Sequence, residues 1–156
     1  MQNPDTVQQQ ALGGFLRGWQ ARDGAAVGVA LDALVACPAL VHLVAWLHWW
    51  IEPDSATCER LRQAIRSEGA QARGFDWLAS ARSISASDVV GVLGELMQIR
   101  GGMRAALEVL GSRLTPGMAD DPDQEPLLAL GRRMLCDASA IPSFRIRNLR
   151  HKHVGD

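Results

Sequence analysis

From Ala33 to Ile51 the chain reads ALVACPALVHLVAWLHWWI, nineteen residues without a formally charged side chain when histidine is counted as neutral. Three of the five tryptophans of the protein lie near its end, at Trp46, Trp49 and Trp50. A segment this apolar must be covered by the rest of the chain, because burial of apolar surface is the dominant favourable contribution to folding. We therefore predict a buried central helix near residues 39–51, with Pro38 in or just before its first turn, where a missing N–H costs least.

The same block is long enough to cross a membrane, but its composition and flanks argue against this. About 20 apolar residues in a helix span a bilayer core of about 30 Å. Two histidines, His42 and His48, lie inside the block, and acids rather than basic anchors flank it at Asp32 and Glu52. We therefore expect the block to be buried in protein, and we expect no association with a membrane.

Length and composition indicate one globular domain. The 156 residues are 47% hydrophobic and 21% charged, which is typical of folded proteins. The 16 basic and 17 acidic side chains give a net charge of −1, which excludes a surface built wholly for nucleic acid but leaves a local basic patch open. Three widely spaced cysteines and a start without a signal-peptide pattern favour the cytoplasm. Abundant alanine, with arginine in place of lysine, indicates a bacterial origin.

Helical periodicity continues on both sides of the block. Residues 6–21 carry apolar side chains at the i, i+3, i+4, i+7 spacing of one helix face. Ser85 and Asp88 resemble a capping box and open a long helix that glycines interrupt at residues 101–102. A last helix is predicted over residues 126–138, before Ile141-Pro142.

These patterns predict an all-α, single-domain helical bundle. No stretch alternates polar and apolar residues for long enough to form a sheet. We expect about five to seven helices in a domain of residues 1–142, followed by a basic C-terminal tail of residues 143–156. Helix pairs joined by proline or glycine turns leave an irregular helical-repeat arrangement open.

No motif in the sequence identifies a reaction. The patterns HExxH, paired CxxC, GxxxxGK[ST] and GxSxG are all missing, and a site assembled only in three dimensions stays open. Cys37, His42 and His48 do not have the spacing of a common zinc site, and His151-x-His153 has no third ligand nearby in sequence. We predict that the protein is not an enzyme and that it holds no cofactor or metal.

The tryptophans and histidines of the block have a structural interpretation. Trp46, Trp49 and Trp50 are spread around the predicted helix, which favours packing on several sides of a core. The ring nitrogens of His42 and His48 are expected to find hydrogen-bond partners in or near that core. A tryptophan that is exposed in the folded protein would instead be an interaction anchor, because tryptophan is enriched at binding hot spots.

The basic tail is the predicted partner-binding segment. Residues 144–153 read FRIRNLRHKH, with four formal positive charges and no acid. A terminal charge run is often simply solvated, but here apolar residues alternate with arginines, which suits docking of an extended segment into a groove. The candidate partner-binding residues are Phe144, Arg145, Ile146, Arg147, Leu149 and Arg150.

Two functions remain open. The first is a non-enzymatic protein-interaction module, such as an adaptor, chaperone, immunity factor or assembly subunit. The alternative is a small helical subunit that contacts nucleic acid within a larger complex. This alternative would be favoured if the arginines of the bundle gathered on one face with the tail, and disfavoured if they were dispersed and paired with acids. The arginines concerned are Arg60, Arg62, Arg66, Arg73, Arg100, Arg104, Arg132 and Arg133.

Deletion of residues 144–156 should leave the melting temperature nearly unchanged, because the tail has no core to join. It should weaken partner binding, and more visibly at low salt, where charges are less screened. Thermal unfolding and a binding assay on the full and truncated chains check both expectations. An unfolded truncated protein would make the tail a structural strap, and unchanged binding would place the interaction surface on the bundle.

Overall fold

The protein is described by a computed structural model that covers residues 4–68, 70–115 and 124–139. Over these ranges the chain forms α-helices and two short 3₁₀ turns, Val41–Leu43 and Asp76–Ala79, and no strand, so the all-α prediction is confirmed. None of the described helices is long and apolar enough to cross a membrane. The helices are α1 (Pro4–Arg22), α2 (Gly24–Val35), α3 (Val44–Leu47), α4 (Thr57–Arg66), α5 (Ala86–Leu96), α6 (Gly102–Leu114) and α7 (Glu125–Ser139).

The predicted buried helix near residues 39–51 is only partly observed: its α-helical part is short, and the range contains both buried and exposed residues. The buried ones are Val41, Val44, Ala45, Leu47, His48 and Ile51, and the exposed ones are Ala39, Leu40, His42 and Trp49. A 3₁₀ turn leads into the single α-helical turn of α3, and the chain then tightens again beyond Leu47. There the N–H groups of Trp49 and Trp50 donate to carbonyls three residues earlier, at 3.2 and 3.0 Å. The block therefore changes direction twice, which lets its side chains face different neighbours.

The main hydrophobic core lies among α4, α5, α6, α7 and the Asp76–Ala79 turn. Helix α5 packs against α4, α6 and α7, and α6 also packs against the 3₁₀ turn. Side chains of this core that water does not reach include Leu61, Leu78, Val89, Leu93 and Leu96. The described chain from α4 onward therefore forms a helical bundle around α5.

Two smaller clusters connect the N-terminal helices to this bundle. In the first, Leu16 of α1 and Leu31 of α2 pack with Leu47 and Ile51 of the block. In the second, Val41 and Val44 of the block pack with Ala64 of α4. Because Ala45 belongs to the main core, the block contributes side chains to all three clusters.

A buried arginine ties α4 to α2. Arg60 is only 5% exposed, and its guanidinium donates to Asp32 at 2.6 Å and to both carboxylate oxygens of Asp54 at 2.8 Å. A fourth hydrogen bond, of 3.3 Å, reaches the carbonyl of Gly28. Partial burial alone would raise the pKa of the Asp54 carboxyl, but hydrogen bonds from Arg60 and Thr57 outweigh it and lower that pKa. The two acids thus compensate a cation that burial would otherwise make costly.

A second buried arginine holds the loop before α5. Arg113 of α6 donates from Nε to the carbonyl of Leu78 at 2.9 Å and from Nη1 to that of Ile84 at 3.3 Å. Its Nη2 donates to the carbonyl of Ala81. The Ala81 carbonyl also accepts from the N–H of Ile84 at 3.2 Å, so Arg113 adds to the backbone hydrogen bonds of this loop and joins the loop to α6.

The helix boundaries around α5 follow the local sequence. The hydroxyl of Ser85 accepts from the N–H of Asp88 at 3.1 Å, so Ser85 caps α5 as the sequence indicates; the Asp88 carboxylate accepts from that hydroxyl at 2.7 Å, whereas a full capping box would use the backbone N–H of Ser85. Gly101 has a φ of +80°, which favours glycine. At Gly102 an added Cβ would lie 1.6 Å from the carbonyl oxygen of Leu96, so no side chain fits there.

Leu47→Ala should lower the free energy of unfolding by about 2–5 kcal/mol, the usual cost of truncating a buried leucine. Both Leu43 and Leu47 lie on the most apolar arc of the block in sequence, but Leu43 is only partly buried, at the edge of its cluster. Leu43→Ala should therefore cost less than Leu47→Ala. Urea unfolding of the two variants measures the difference, and losses below about 1 kcal/mol for both would show that the block is not part of the core.

Candidate functional site

An open groove of about 1190 Å³ lies beside the end of the apolar block. One wall is the turn that carries Trp46 and Trp49, another is the segment 70–76, and the third is the start of α6. Ordinary small-molecule pockets have volumes of about 300–1,000 Å³, so this groove has room for more than a small ligand. Its charged lining residues are Arg73, Asp76, Arg100, Arg104 and Glu108.

Two glycines set the shape of the groove. Gly74 has a φ of +86°, and a Cβ built on it would lie 3.1 Å from the backbone nitrogen of Trp46. The segment 70–76 can therefore pass close to the tryptophan turn only with glycine at this position. Gly101, with its left-handed backbone, turns the chain into α6 and so presents Arg100 and Arg104 to the same space.

The three tryptophans of the block have three different environments. Trp50 is partly buried against α1, where a Cβ on Gly13 would lie 2.2 Å from its ring and the Arg17 guanidinium lies 5.5 Å from the ring centre. Trp46 is partly buried and packs against the cluster of α1 and α2. Trp49 is 46% exposed and lines the groove. Core packing was therefore the wrong expectation for Trp49, because the chain leaves its helical path after Leu47.

The charges of the groove are only partly compensated. Arg104 Nε lies 2.8 Å from Glu108 Oε1, an exposed pair one helical turn apart. Arg73 and Arg100 are exposed, and neither forms an ion pair with any residue of the described ranges. Its three arginines therefore exceed its two acids by one charge.

Several arginines elsewhere on the bundle are paired with the chain's own acids, whereas Arg22 and Arg133 are exposed and form no ion pair with a described residue. Arg66 Nη2 lies 2.6 Å from Glu95, and Arg62 lies 3.9 Å from the same carboxylate. On α7, Arg132 lies 3.0 Å from Glu125. With Arg60 and Arg104, five of the eight arginines singled out in the sequence are paired with acids. These pairs are distributed over α4, α6 and α7 and do not form one basic face.

His48 is a core side chain, but the expectation for the two histidines is met only in part, because His48 Nε2 is buried without a hydrogen-bond partner among the described residues and His42 lies on the surface. Its Nδ1 lies 2.8 Å from the carbonyl oxygen of Val44, and its ring stacks on Trp77 with centroids 5.5 Å apart. Burial lowers the pKa of the His48 imidazole, and the hydrogen bond to Val44 opposes this only in part. Among the described residues, no three His, Cys, Asp or Glu side chains come together as a possible metal site.

The structure and the sequence emphasise different residues for binding. The six predicted residues of the tail, from Phe144 to Arg150, lie outside the described residues, so their role stays a prediction. The groove arginines Arg73 and Arg100 were not recognised as a pair, because they lie far from Trp49 and from each other in sequence. The only local signals were the glycines beside them, which indicate tight backbone turns.

Comparisons with known proteins do not add a function to this geometry. No protein-family model, no curated protein and no solved structure matches the chain. The groove and its charges are therefore the basis for any functional conclusion.

The stability of the protein should fall as the pH is lowered from about 7.5 to about 5.5. The pKa of His48 is lower in the folded than in the unfolded chain, so the unfolded chain binds more protons below its ordinary value of about 6.5. The contribution of neutral His48 to the free energy of unfolding is complete above a pH of about 6.5 and is lost as the pH falls towards the pKa of His48 in the folded protein. His48→Gln should reduce the difference in unfolding free energy between the two pH values. The control His42→Gln, in the same segment, should retain it, and an unchanged difference in His48→Gln would contradict the assignment.

Proposed function

We propose that this chain is a non-enzymatic protein-interaction module whose partner docks in the groove beside Trp49. The observation that carries the proposal is the 46% exposure of that ring in a groove that is also lined by Arg73 and Arg100, which form no ion pair with a described residue. Tryptophan and arginine are the side chains most enriched at protein-binding hot spots, where rings and guanidinium groups are covered by the partner. An adaptor, chaperone, immunity factor or assembly subunit of the bacterial cytoplasm would use such a surface.

The position of Trp49 supports binding rather than folding as the role of its ring. Trp46 and Trp50 of the same block pack against neighbours, so the block contributes to its clusters without Trp49. Contact of a large exposed ring with water is unfavourable in the free protein. A partner that covers the ring gains the free energy of burying its apolar surface. The surrounding arginines give such a partner polar contacts at the edge of the same surface.

The alternative, a subunit that contacts nucleic acid, has weaker support. Binding to a phosphate backbone depends on several cationic contacts, and each contributes to its salt dependence. On this bundle five of the eight arginines are paired with acids, and Asp76 and Glu108 line the groove itself. The basic tail remains, in this proposal, a second contact that strengthens attraction to an acidic partner.

Trp49→Ala should abolish the binding of a partner that the unchanged protein captures from cells of the source organism. The matched control is Phe15→Ala, because Phe15 is also an exposed aromatic residue, 63% exposed on α1 and outside the groove. Affinity purification of the three proteins in parallel, with identification of captured proteins and nucleic acids, makes the comparison. Because both rings are exposed, we expect both variants to keep the melting temperature of the unchanged protein. Thermal unfolding of the three proteins checks that folding is retained.

Three results of this experiment would contradict the proposal. Partners that all survive Trp49→Ala would exclude the groove as their binding surface. Loss of partners in Phe15→Ala alone would place the interaction on α1. Capture of nucleic acid alone, lost with Trp49→Ala, would favour the nucleic-acid alternative.

A further inference from the structure

The groove brings two exposed arginines without an ion pair to a described residue together with an exposed tryptophan ring, whereas other such arginines, including Arg22 and Arg133, lie outside it. The guanidinium groups of Arg60, Arg66 and Arg132 each have a carboxylate of this chain within 3.0 Å. Arg73 and Arg100 line one groove, are exposed, and have no such carboxylate among the described residues. A guanidinium binds a carboxylate through two parallel hydrogen bonds, a geometry that water does not reproduce.

From this charge pattern and the exposed ring we infer that the groove binds a short acidic peptide segment that carries one aromatic or large aliphatic side chain. The inference rests on the proposed function and specifies the chemistry of the partner. Carboxylates of the segment pair with Arg73 and Arg100, and its apolar side chain packs on Trp49. The groove volume of about 1190 Å³ fits a segment of several residues better than a small molecule.

The acids of the groove restrict how much negative charge it accepts. Asp76 and Glu108 lie on its walls, and Glu108 already holds Arg104 at 2.8 Å. A ligand with a charge on every unit would be repelled by these carboxylates, whereas a segment with a few acids can place them at Arg73 and Arg100. This restriction favours a peptide over single-stranded nucleic acid, which binds through a continuous basic track and several stacking rings.

The test measures binding of defined peptides to the full-length chain by fluorescence anisotropy. The probe is a fluorescein-labelled peptide GSEDLFEDGS. Its comparison peptides are GSQNLFQNGS, which removes the charges, and GSEDAAEDGS, which removes the apolar anchor. A short oligouridylate with the same label represents nucleic acid. We expect the acidic probe to bind about tenfold more tightly than either comparison peptide, which corresponds to about 1.4 kcal/mol.

Charge-matched variants locate the binding site. The double variant Arg73→Gln, Arg100→Gln should weaken binding of the acidic probe at least tenfold. The control Arg22→Gln, Arg133→Gln removes the same charge from exposed positions outside the groove and should leave binding within about twofold. Trp49→Ala should weaken binding of GSEDLFEDGS but not of GSEDAAEDGS. Because the basic tail is present in every variant, any contribution from it is the same throughout.

The outcomes separate this inference from the proposed function. Equal binding of the acidic and amide peptides, or equal effects of the two arginine double variants, would overturn the inference. If only the oligouridylate bound, and lost affinity in the groove variant, the site would be one for nucleic acid. Trp49-dependent capture of a cellular protein without binding of the acidic probe would leave the proposed function standing and refute the acidic segment. Groove-dependent binding of the acidic probe without any Trp49-dependent capture of a cellular protein would support the acidic segment and contradict the proposed function.

Discussion

The burial of the segment Val41–Ile51 connects all parts of the described fold. Its side chains enter the cluster of α1 and α2 through Leu47 and Ile51, the cluster of α4 through Val41 and Val44, and the main core through Ala45. Burial of apolar surface has no preferred direction, so one uncharged segment can stabilise three contacts at once when its backbone turns. The N-terminal helices therefore pack against the same segment, through different residues, that contributes Ala45 to the core of the C-terminal bundle.

Arginine has two distinct roles in this protein. Arg60 and Arg113 are buried. The guanidinium of Arg60 binds a carboxylate of α2 and so joins α4 to α2, and the guanidinium of Arg113 binds backbone carbonyls and so joins α6 to the chain before α5. Such cations are stable inside a protein only when their partners are present in the fold. Arg73 and Arg100 have no such carboxylate in the described ranges and remain exposed, which is the physical basis of our proposal that a partner binds them.

The groove is a consequence of the way the apolar block ends. A continuous helix over residues 39–51 would have distributed the tryptophan rings around one axis. Instead α3 stops at Leu47, His48 turns into the core to stack on Trp77, and Trp49 is directed to the surface. The glycine at residue 74 then brings a neighbouring segment against Trp46, so that a cleft forms beside the exposed ring.

The sequence by itself determined the helical class, the N-cap at Ser85, the break at residues 101–102 and the burial of part of the apolar block. These features depend on periodicity and on contacts between residues a few positions apart, which a single sequence displays directly. Only the tertiary structure decided that Trp49 faces outward and that Arg73 and Arg100 line the same groove. Both depend on the paths of segments that lie far apart in the chain. Packing sets those paths, and no local pattern encodes them.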